Sequence, residues 1–211
     1  LASISVLHKM KGHYIDTKHP IIMENLMGIK RVNGSNQKGK KPILINDLKR
    51  LIEVIDKSLE KDLRKTRDKA IILIGFSGGF RRSELVSIEY EDLDFVVEGV
   101  KIFVKRSKTD QSGEGMTKAI PYFKNDAFCP VIALKNWIEL SQIKKNKIFN
   151  ISDKGVALII KKYANLAGLD AQKYAGHSLR SGFATSTAES GAEERSIMAM
   201  TGHKSTEMVR R

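Results

Sequence analysis

The sequence predicts a mainly α-helical protein with a small antiparallel β-sheet, which is an α+β fold. Apolar residues recur at helical spacing along most of the chain, whereas three short runs, at 95–97, 100–104 and 119–122, have the composition of strands. Hydrophobic residues make up 41% of the 211 residues, which suits a chain that buries a core. We therefore expect one large domain, alone or with a fragment of another.

Residues 1–36 are predicted to be the end of a helical domain together with the start of a linker. A first helix is expected before Gly12, and a second one follows His19 and Pro20. Two short helices cannot bury a core of their own, and the chain starts at Leu1 without an initiator Met, so we expect further sequence upstream. The basic, polar stretch NGSNQKGKKP, residues 33–42, has the composition of a linker.

Residues 37–211 are predicted to form the second domain. Asn46 is a candidate N-cap for its first helix, and Pro130 suits the first position of a later one. Another helix is expected to end near 77–79. Further helices are expected at about 153–167, 177–190, 193–201 and from 205 onward, with stops at Gly168, Gly191 and Gly202. The runs at 100–104 and 119–122 flank a polar loop and are expected to form a long hairpin.

The charge of the chain narrows its classes of partner. Its 37 Lys and Arg against 24 Asp and Glu give a net charge of +13, which suits either plain solubility or a polyanion partner, most often nucleic acid. The longest apolar stretch, 70–76, is far shorter than a membrane span, and the N-terminus has no signal-peptide pattern. The single cysteine, Cys129, excludes a disulfide framework and a Cys-rich zinc site and fits a reducing compartment.

Two stretches in the first half of the second domain have residues suited to phosphate chemistry. In GFRRSEL, Ser83 is a candidate cap, and Arg81 is expected just before a helix N-terminus, where an anion is favoured. In KRSKT, Lys108 lies in the hairpin loop, from which a lysine can reach a ligand and donate a proton. Lys105 and Lys118 flank the same loop and are alternatives to it. Taken alone, the first stretch is better explained by an ordinary surface arginine beside a helix cap, and an ordinary loop lysine is a strong alternative for the second.

Two further stretches lie near the C-terminus. In GHSLR, His177 and Arg180 are three residues apart, so a helix places them on one face, where together they can contact two oxygens of one phosphate. In TGHKS, His203 is expected in a turn between two helices, a place where a lone histidine is more often structural. Each stretch is weak evidence alone, and their order and separation give them weight.

Taken in order, the stretches strongly resemble the active-site motifs of the tyrosine recombinases, the family of phage integrases and Cre-like enzymes. The resemblance covers about residues 43–211, and the N-terminal piece resembles the end of the core-binding domain of the family. It implies a tyrosine-recombinase catalytic-domain fold. It also implies that the catalytic residues are Arg81, Lys108, His177, Arg180 and His203, with Glu84 as a supporting carboxylate.

The resemblance further implies site-specific recombination of double-stranded DNA through a 3′-phosphotyrosyl intermediate. The arginines would clamp the phosphate, the histidines would hydrogen-bond to it, and Lys108 would be the general acid. Neither a metal nor a cofactor is expected, because the histidines lack metal-ligand spacing and the carboxylates do not cluster. The full-length protein is expected to act in the nucleoid-associated cytoplasm as a tetramer on paired sites, and this chain alone as a monomer.

Other basic residues are candidates for contact with the DNA backbone, although each fits a solvated surface about as well. They are Lys38, Lys40 and Lys41 in the linker, with Arg82, Lys101 and Arg106 further along.

The sequence departs from the family pattern in one respect. The nucleophilic tyrosine is expected nine residues after His203, at position 212, and the chain ends at Arg211. Either the sequence stops just before the nucleophile, or the natural protein is a truncated relic. We expect the chain as printed to bind DNA without forming an adduct. A non-catalytic DNA-binding protein and a type IB topoisomerase are the alternative functions.

Overall fold

The computed structural model describes residues 2–34, 39–106 and 113–202. The chain divides into two compact units, Leu1–Gly39 and Lys40–Arg211; the sequence predicts the division at 36/37. Helices α1 and α2 form the described part of the first unit, and helices α3–α9 with strands β1–β3 form that of the second. Within the described residues, none of the helices has both the length and the apolar character needed to cross a bilayer.

The first unit contains α1, Ala2–Met10, and α2, Pro20–Asn33. Gly12 follows α1 with φ +78°, a left-handed conformation that ends a helix readily because glycine has no Cβ. Pro20 starts α2, where its missing N–H costs no helical hydrogen bond. Of the side chains described here, none is buried. Two helices without a core are what the sequence predicts for this segment.

The core of the second unit is built around α4. The helices of this unit are α3 Ile45–Lys57, α4 Asp62–Ser77, α5 Arg82–Ser87, α6 Pro130–Ser141, α7 Asp153–Leu166, α8 His177–Glu189 and α9 Glu194–Thr201. Every residue from 70 to 77 of α4 is buried. Helix α4 packs chiefly against α6 and α8, while α3 packs against α7. The most apolar stretch of the sequence therefore lies at the centre of the unit.

A three-stranded antiparallel sheet lies between α5 and α6 in the chain, with strands β1 Leu93–Val96, β2 Gly99–Val104 and β3 Met116–Pro121 in that order. One face is buried, with Ile102 on β2 opposite Lys118 on β3 and Val100 opposite Ile120. A lysine thus occupies a core position of the sheet. Strand β3 begins before the run at 119–122 because its pairing with β2 continues to Val104 and Met116.

The predicted fold class, mainly α with a small antiparallel sheet, is confirmed, but two predicted caps are wrong. Leu44 is the N-cap of α3, which places Asn46 inside the first turn. Arg81 is the N-cap of α5, which likewise places Ser83 inside the helix. The carboxylate of Glu84 reaches back to accept the Arg81 N–H at 3.0 Å, so a hydroxyl cap is not needed. The helix predicted from 205 onward lies outside the described residues.

Candidate active site

The two predicted catalytic arginines meet at the turn that follows α4. Gly79 has φ +55°, so the chain reverses between α4 and α5 in a conformation that favours glycine. Arg180, which is only 7% exposed, reaches this turn from α8 and donates from Nη1 to the Gly79 carbonyl at 2.8 Å. Arg81 leaves the same turn at the N-cap of α5. A single hydrogen bond thus joins Arg180 to the carbonyl of Gly79, which lies 101 positions earlier in the sequence.

Glu84 holds Arg81 in place. The residue is 2% exposed, and its carboxylate accepts hydrogen bonds from Nη1 of Arg81 at 2.6 Å and from the Arg81 backbone N–H at 3.0 Å. Burial opposes ionisation of this carboxyl. The two hydrogen bonds from Arg81 and the charge of Lys118 outweigh that opposition and lower the pKa of Glu84 below its ordinary value. Glu84 is therefore an anion near neutral pH and fixes a guanidinium.

Lys118 lies beneath the same turn. Its side chain is fully buried, and Nζ donates to the carbonyls of Gly78 at 2.7 Å and Met200 at 2.6 Å, with Oε2 of Glu84 at 3.8 Å. Burial, followed by the charges of Arg180 and Arg81, lowers the pKa of Lys118 to about 8 although Glu84 opposes the shift. We call Arg81, Glu84, Lys118 and Arg180 the arginine cluster.

The charge and geometry of the arginine cluster suit an anion. Within the described residues, the carboxylate of Glu84 faces three cations. Burial, followed by the charge of Arg81, lowers the pKa of Arg180 to about 10, although Glu84 opposes the shift. Nη2 of Arg180 is buried and has no hydrogen-bond partner among the described residues. A buried charged donor without a partner is costly, and an oxyanion supplies both the missing acceptor and the missing charge.

His177 lies on the same helix as Arg180, as the spacing predicts. It is the first residue of α8 and is exposed, whereas Arg180 is buried one turn later. His177 therefore lies at the surface of the protein, whereas Arg180 is buried and contacts the Gly79 turn.

Lys108 and His203 lie outside the described residues, as does Lys38, so their places in the site stay predictions. Both alternatives to Lys108 are anchored elsewhere. Lys105 is half-exposed and forms ion pairs with Glu89 and with Asp92, the second at 3.0 Å. Lys118 is enclosed by backbone carbonyls. Neither is placed as a mobile lysine at a hairpin tip would be.

Four of the residues predicted for contact with the DNA backbone are exposed. Lys40 is exposed and donates from Nζ to the Gln172 carbonyl at 2.7 Å, and Lys41, also exposed, lies 3.6 Å from Asp47. Lys101, on the outer face of β2, and Arg106 are exposed.

Arg82 differs from these surface cations. Its side chain is 28% exposed and crosses Gly176, where an added Cβ would lie 1.6 Å from Cδ of Arg82. Its nearest carboxylate is that of Asp153, at 4.0 Å, and its Nε is buried without a hydrogen-bond partner in the described part of the chain. Packing between α5 and the start of α8 therefore fixes much of this side chain.

The sequence predicts Lys118 only as an alternative to Lys108 beside the hairpin loop, and it does not predict that Lys118 is buried beneath the Gly79 turn. The signal is the alternation of β3, in which Met116, Lys118 and Ile120 share a face. A lysine between two apolar residues at period two marks an inward-facing cation. Across the described ranges, His, Cys, Asp and Glu form no group of three or more that could hold a metal ion.

Comparison with known proteins gives the family. The model of the phage integrase family matches residues 43–211. The integrase/recombinase xerD homolog of Selenomonas ruminantium is 46% identical over an alignment of 212 positions, which covers 95% of this chain and 61% of that protein. The tyrosine recombinase XerC of Syntrophus aciditrophicus is 32% identical over an alignment of 158 positions, which covers 69% of this chain and 48% of that protein. The chain thus spans about half to three fifths of the length of these relatives.

Solved structures show the same fold. The XerH site-specific recombinase bound to its palindromic difH substrate matches with a TM-score of 0.66 and 21% identity, over 81% of this chain and 48% of that chain. The XerA recombinase matches with a TM-score of 0.64 and 20% identity, over 99% of this chain and 66% of that chain. With the family model matched over the whole of the second unit from Ile43 onward, the chain belongs to the phage integrase family of tyrosine recombinases.

Proposed function

We propose that this chain is the catalytic part of a site-specific recombinase that cuts and rejoins double-stranded DNA through a 3′-phosphotyrosyl intermediate. The observation that carries the proposal is the convergence of Arg81 and Arg180 on the Gly79 turn, with a buried guanidinium nitrogen that lacks an acceptor. A phosphodiester oxygen is the acceptor we assign to it. Membership of the family supports the same function, as do the structural neighbours, some of which are complexes with DNA.

The arginine cluster suits the charge that develops during strand cleavage. When a nucleophile attacks a phosphodiester, negative charge grows on the non-bridging oxygens. Guanidinium groups that are fixed before the reaction stabilise this charge without reorganising. Arg81 is fixed by Glu84, and Arg180 by the Gly79 carbonyl. Because the pKa of Glu84 is lowered, we assign it a positioning role and not that of a proton donor.

The remaining roles complete the reaction. We assign hydrogen bonds to the phosphate to His177 and His203, and the proton for the leaving 5′-oxygen to Lys108. The nucleophile is assigned to a tyrosine at position 212, directly after Arg211. The phosphotyrosyl bond conserves the energy of the cleaved phosphodiester, so rejoining requires neither a nucleotide nor a metal cofactor.

DNA is the partner that we propose for the exposed basic residues. Lys38, Lys40, Lys41, Lys101 and Arg106 are the candidates for backbone contact, together with the exposed part of Arg82. The XerH structure is that of a complex with a difH substrate, and the Tn1549 integrase structure contains transposon right-end DNA. For the full-length protein we propose a tetramer on paired sites in the nucleoid-associated cytoplasm, and for this chain alone a monomer. A larger oligomer of this chain in light scattering without DNA would contradict the proposed monomer.

A suicide substrate tests the proposal. The chain extended past Arg211 with a tyrosine at position 212 is mixed with nicked DNA that carries its recombination site, and covalent adducts are separated by denaturing electrophoresis. We expect an adduct with the extended chain and none with the chain as printed, although both bind the DNA. The absence of an adduct from the extended chain would overturn the proposed reaction. Relaxation of supercoiled DNA without any recombinant product would indicate a topoisomerase instead.

A further inference from the structure

Lys118 occupies a position where the sheet requires an apolar residue. It lies on the buried face of β3, opposite Ile102 and two residues from Ile120, and its side chain is fully buried. Burying an ammonium group is costly unless its donors are satisfied. Packing alone therefore does not account for a lysine here, and its polar contacts should show what it does.

The ammonium group of Lys118 binds the C-terminal ends of two helices. Gly78, the C-cap of α4, accepts Nζ at 2.7 Å, and Met200, in the last turn of α9, accepts it at 2.6 Å. The last carbonyls of a helix have no partner within the helix and attract cations. The ring of Phe80, with its centroid 4.5 Å from Nζ, covers the group. One side chain thus joins the ends of α4 and α9.

Both joined ends lead directly into the proposed active site. Gly78 precedes Gly79, whose carbonyl binds Arg180, and Arg81 follows two residues later. Met200 precedes Gly202, whose carbonyl lies 3.5 Å from Nη2 of Arg81, and His203 comes next. We infer that Lys118 is a positioning residue: by tying together the C-terminal ends of α4 and α9, it sets Arg81 and Arg180, the arginine pair, against Gly202. This inference rests on the proposed function.

The geometry favours lysine over its nearest substitutes. An ammonium group has three donors on one atom, which suits carbonyls that converge from two chain segments. Methionine would preserve most of the stem but would leave the Gly78 and Met200 carbonyls without this partner. Because Lys118 has no exposed surface, it cannot touch a phosphate itself. Its role is therefore distinct from that of the proposed proton donor, Lys108.

A positioning role for Lys118 predicts an effect on the rate of adduct formation but not on the affinity for DNA. If Lys118 only positions the arginine pair, Lys118→Met should slow adduct formation by the extended chain about 100-fold, since small displacements in an active site have effects of this size. Affinity for the DNA site should not change, because backbone contacts come from exposed residues. Lys118→Gln, which keeps an amide donor, should recover part of the rate. The matched control is Lys124→Met, which removes the same charge from an exposed position just after β3.

The experiment measures single-turnover cleavage of the suicide substrate, DNA affinity and amide hydrogen exchange for each variant. In Lys118→Met, exchange should rise at least about tenfold in residues 79–82 and 200–202 but not in α6. No adduct from the unsubstituted extended chain would count against the proposed function, while the exchange result would still test the inference. Unchanged cleavage and exchange in Lys118→Met would overturn the inference. So would a failure of both Lys118 variants to fold, since Lys118 would then serve stability alone.

Discussion

At the scale of single residues, the site is organised around backbone carbonyls. The Gly79 carbonyl binds Arg180, and the Gly78 and Met200 carbonyls bind Lys118. The carboxylate of Glu84 accepts two hydrogen bonds from Arg81 and lies 3.8 Å from Nζ of Lys118. Carbonyls orient a cation without cancelling its charge. This arrangement keeps the arginine cluster both rigid and positive, as stabilisation of an oxyanion requires.

Arg180→Lys tests the need for a guanidinium. Lysine keeps the charge but loses the planar fork that can hold the Gly79 carbonyl and a phosphate oxygen at the same time. We expect adduct formation by the extended chain to fall about 100- to 1000-fold, with DNA affinity little changed. Cleavage rates with a suicide substrate and a filter-binding assay measure the two quantities. Equal losses of affinity and rate would show that Arg180 contributes to binding and not to the chemical step.

The buried ammonium group of Lys118 predicts a dependence of stability on pH. Its pKa is lowered from 10.5 to about 8 in the folded protein, chiefly by burial and then by Arg180 and Arg81, with Glu84 opposing. Between these two values the unfolded chain binds the proton and the folded chain does not, so stability rises with pH across this window. From about pH 7 to about pH 9.5 the gain is about 2 kcal/mol in the free energy of unfolding.

Urea denaturation of the unsubstituted chain and of Lys118→Met at both pH values measures this gain. The other titrating groups are common to both chains, and Arg180, with its pKa of about 10, stays largely protonated at both pH values. The free energy of unfolding of the unsubstituted chain, relative to that of Lys118→Met, should therefore increase as the pH rises. A constant difference would show that the pKa of Lys118 is not lowered.

At the scale of elements, the sequence predicts helices and stops better than it predicts caps and roles. Gly12, Gly168, Gly191 and Gly202 stop helices as predicted, because a left-handed φ is a local property that glycine signals by itself. Caps depend on where the preceding turn leaves the chain, which is why Ser83 proved to lie inside α5. The role of Lys118 depends on contacts 40 and 82 residues away along the sequence, and periodicity does not carry such information.

For the candidate site, too, the sequence predicts local features but not long-range packing. The i, i+3 spacing in α8 correctly predicts that His177 and Arg180 share a helix near its start. Their unequal burial follows from packing of α8 against α4, which a motif does not reveal. The roles assigned to the predicted residues stay predictions.

The turn between α4 and α5 is an element that can be tested by itself. At Gly79 an added Cβ would lie 2.9 Å from Phe183 and 3.1 Å from Thr201, in a left-handed backbone with φ +55°. Gly191 has φ +83° and nothing within 4 Å of an added Cβ. Gly191→Ala should therefore cost about 1 kcal/mol of stability, for the backbone alone. Gly79→Ala should cost about 2–4 kcal/mol, because clashes in the core add to the same penalty.

Urea denaturation measures both stabilities, and cleavage by the extended chain measures the effect on the site. Gly79→Ala should also slow adduct formation, because it displaces the carbonyl that holds Arg180, whereas Gly191→Ala should not. If the two variants lose the same stability and cleave equally fast, the turn does not position the arginines.

At the scale of the whole molecule, the cations behind the net charge of +13 fall into a buried group and an exposed group. Lys118 and Arg180 are buried in the arginine cluster, while Lys40, Lys101 and Arg106 are exposed. Exposed cations release counterions from DNA when they bind it, and buried cations do not. The same unit of charge should therefore affect DNA binding differently according to where it lies.

A salt titration of DNA binding distinguishes the two groups of cations. Lys40→Met should weaken binding to every DNA sequence and reduce the slope of log K against log salt by about 1, since one phosphate contact is lost. Lys118→Met lowers the net charge by the same amount but should leave the slope unchanged, because its ammonium group is enclosed by protein. Equal slopes for the two variants would mean that net charge alone governs binding. A flatter slope for Lys40→Met alone would assign the exposed linker lysine to the DNA backbone and the buried one to the site.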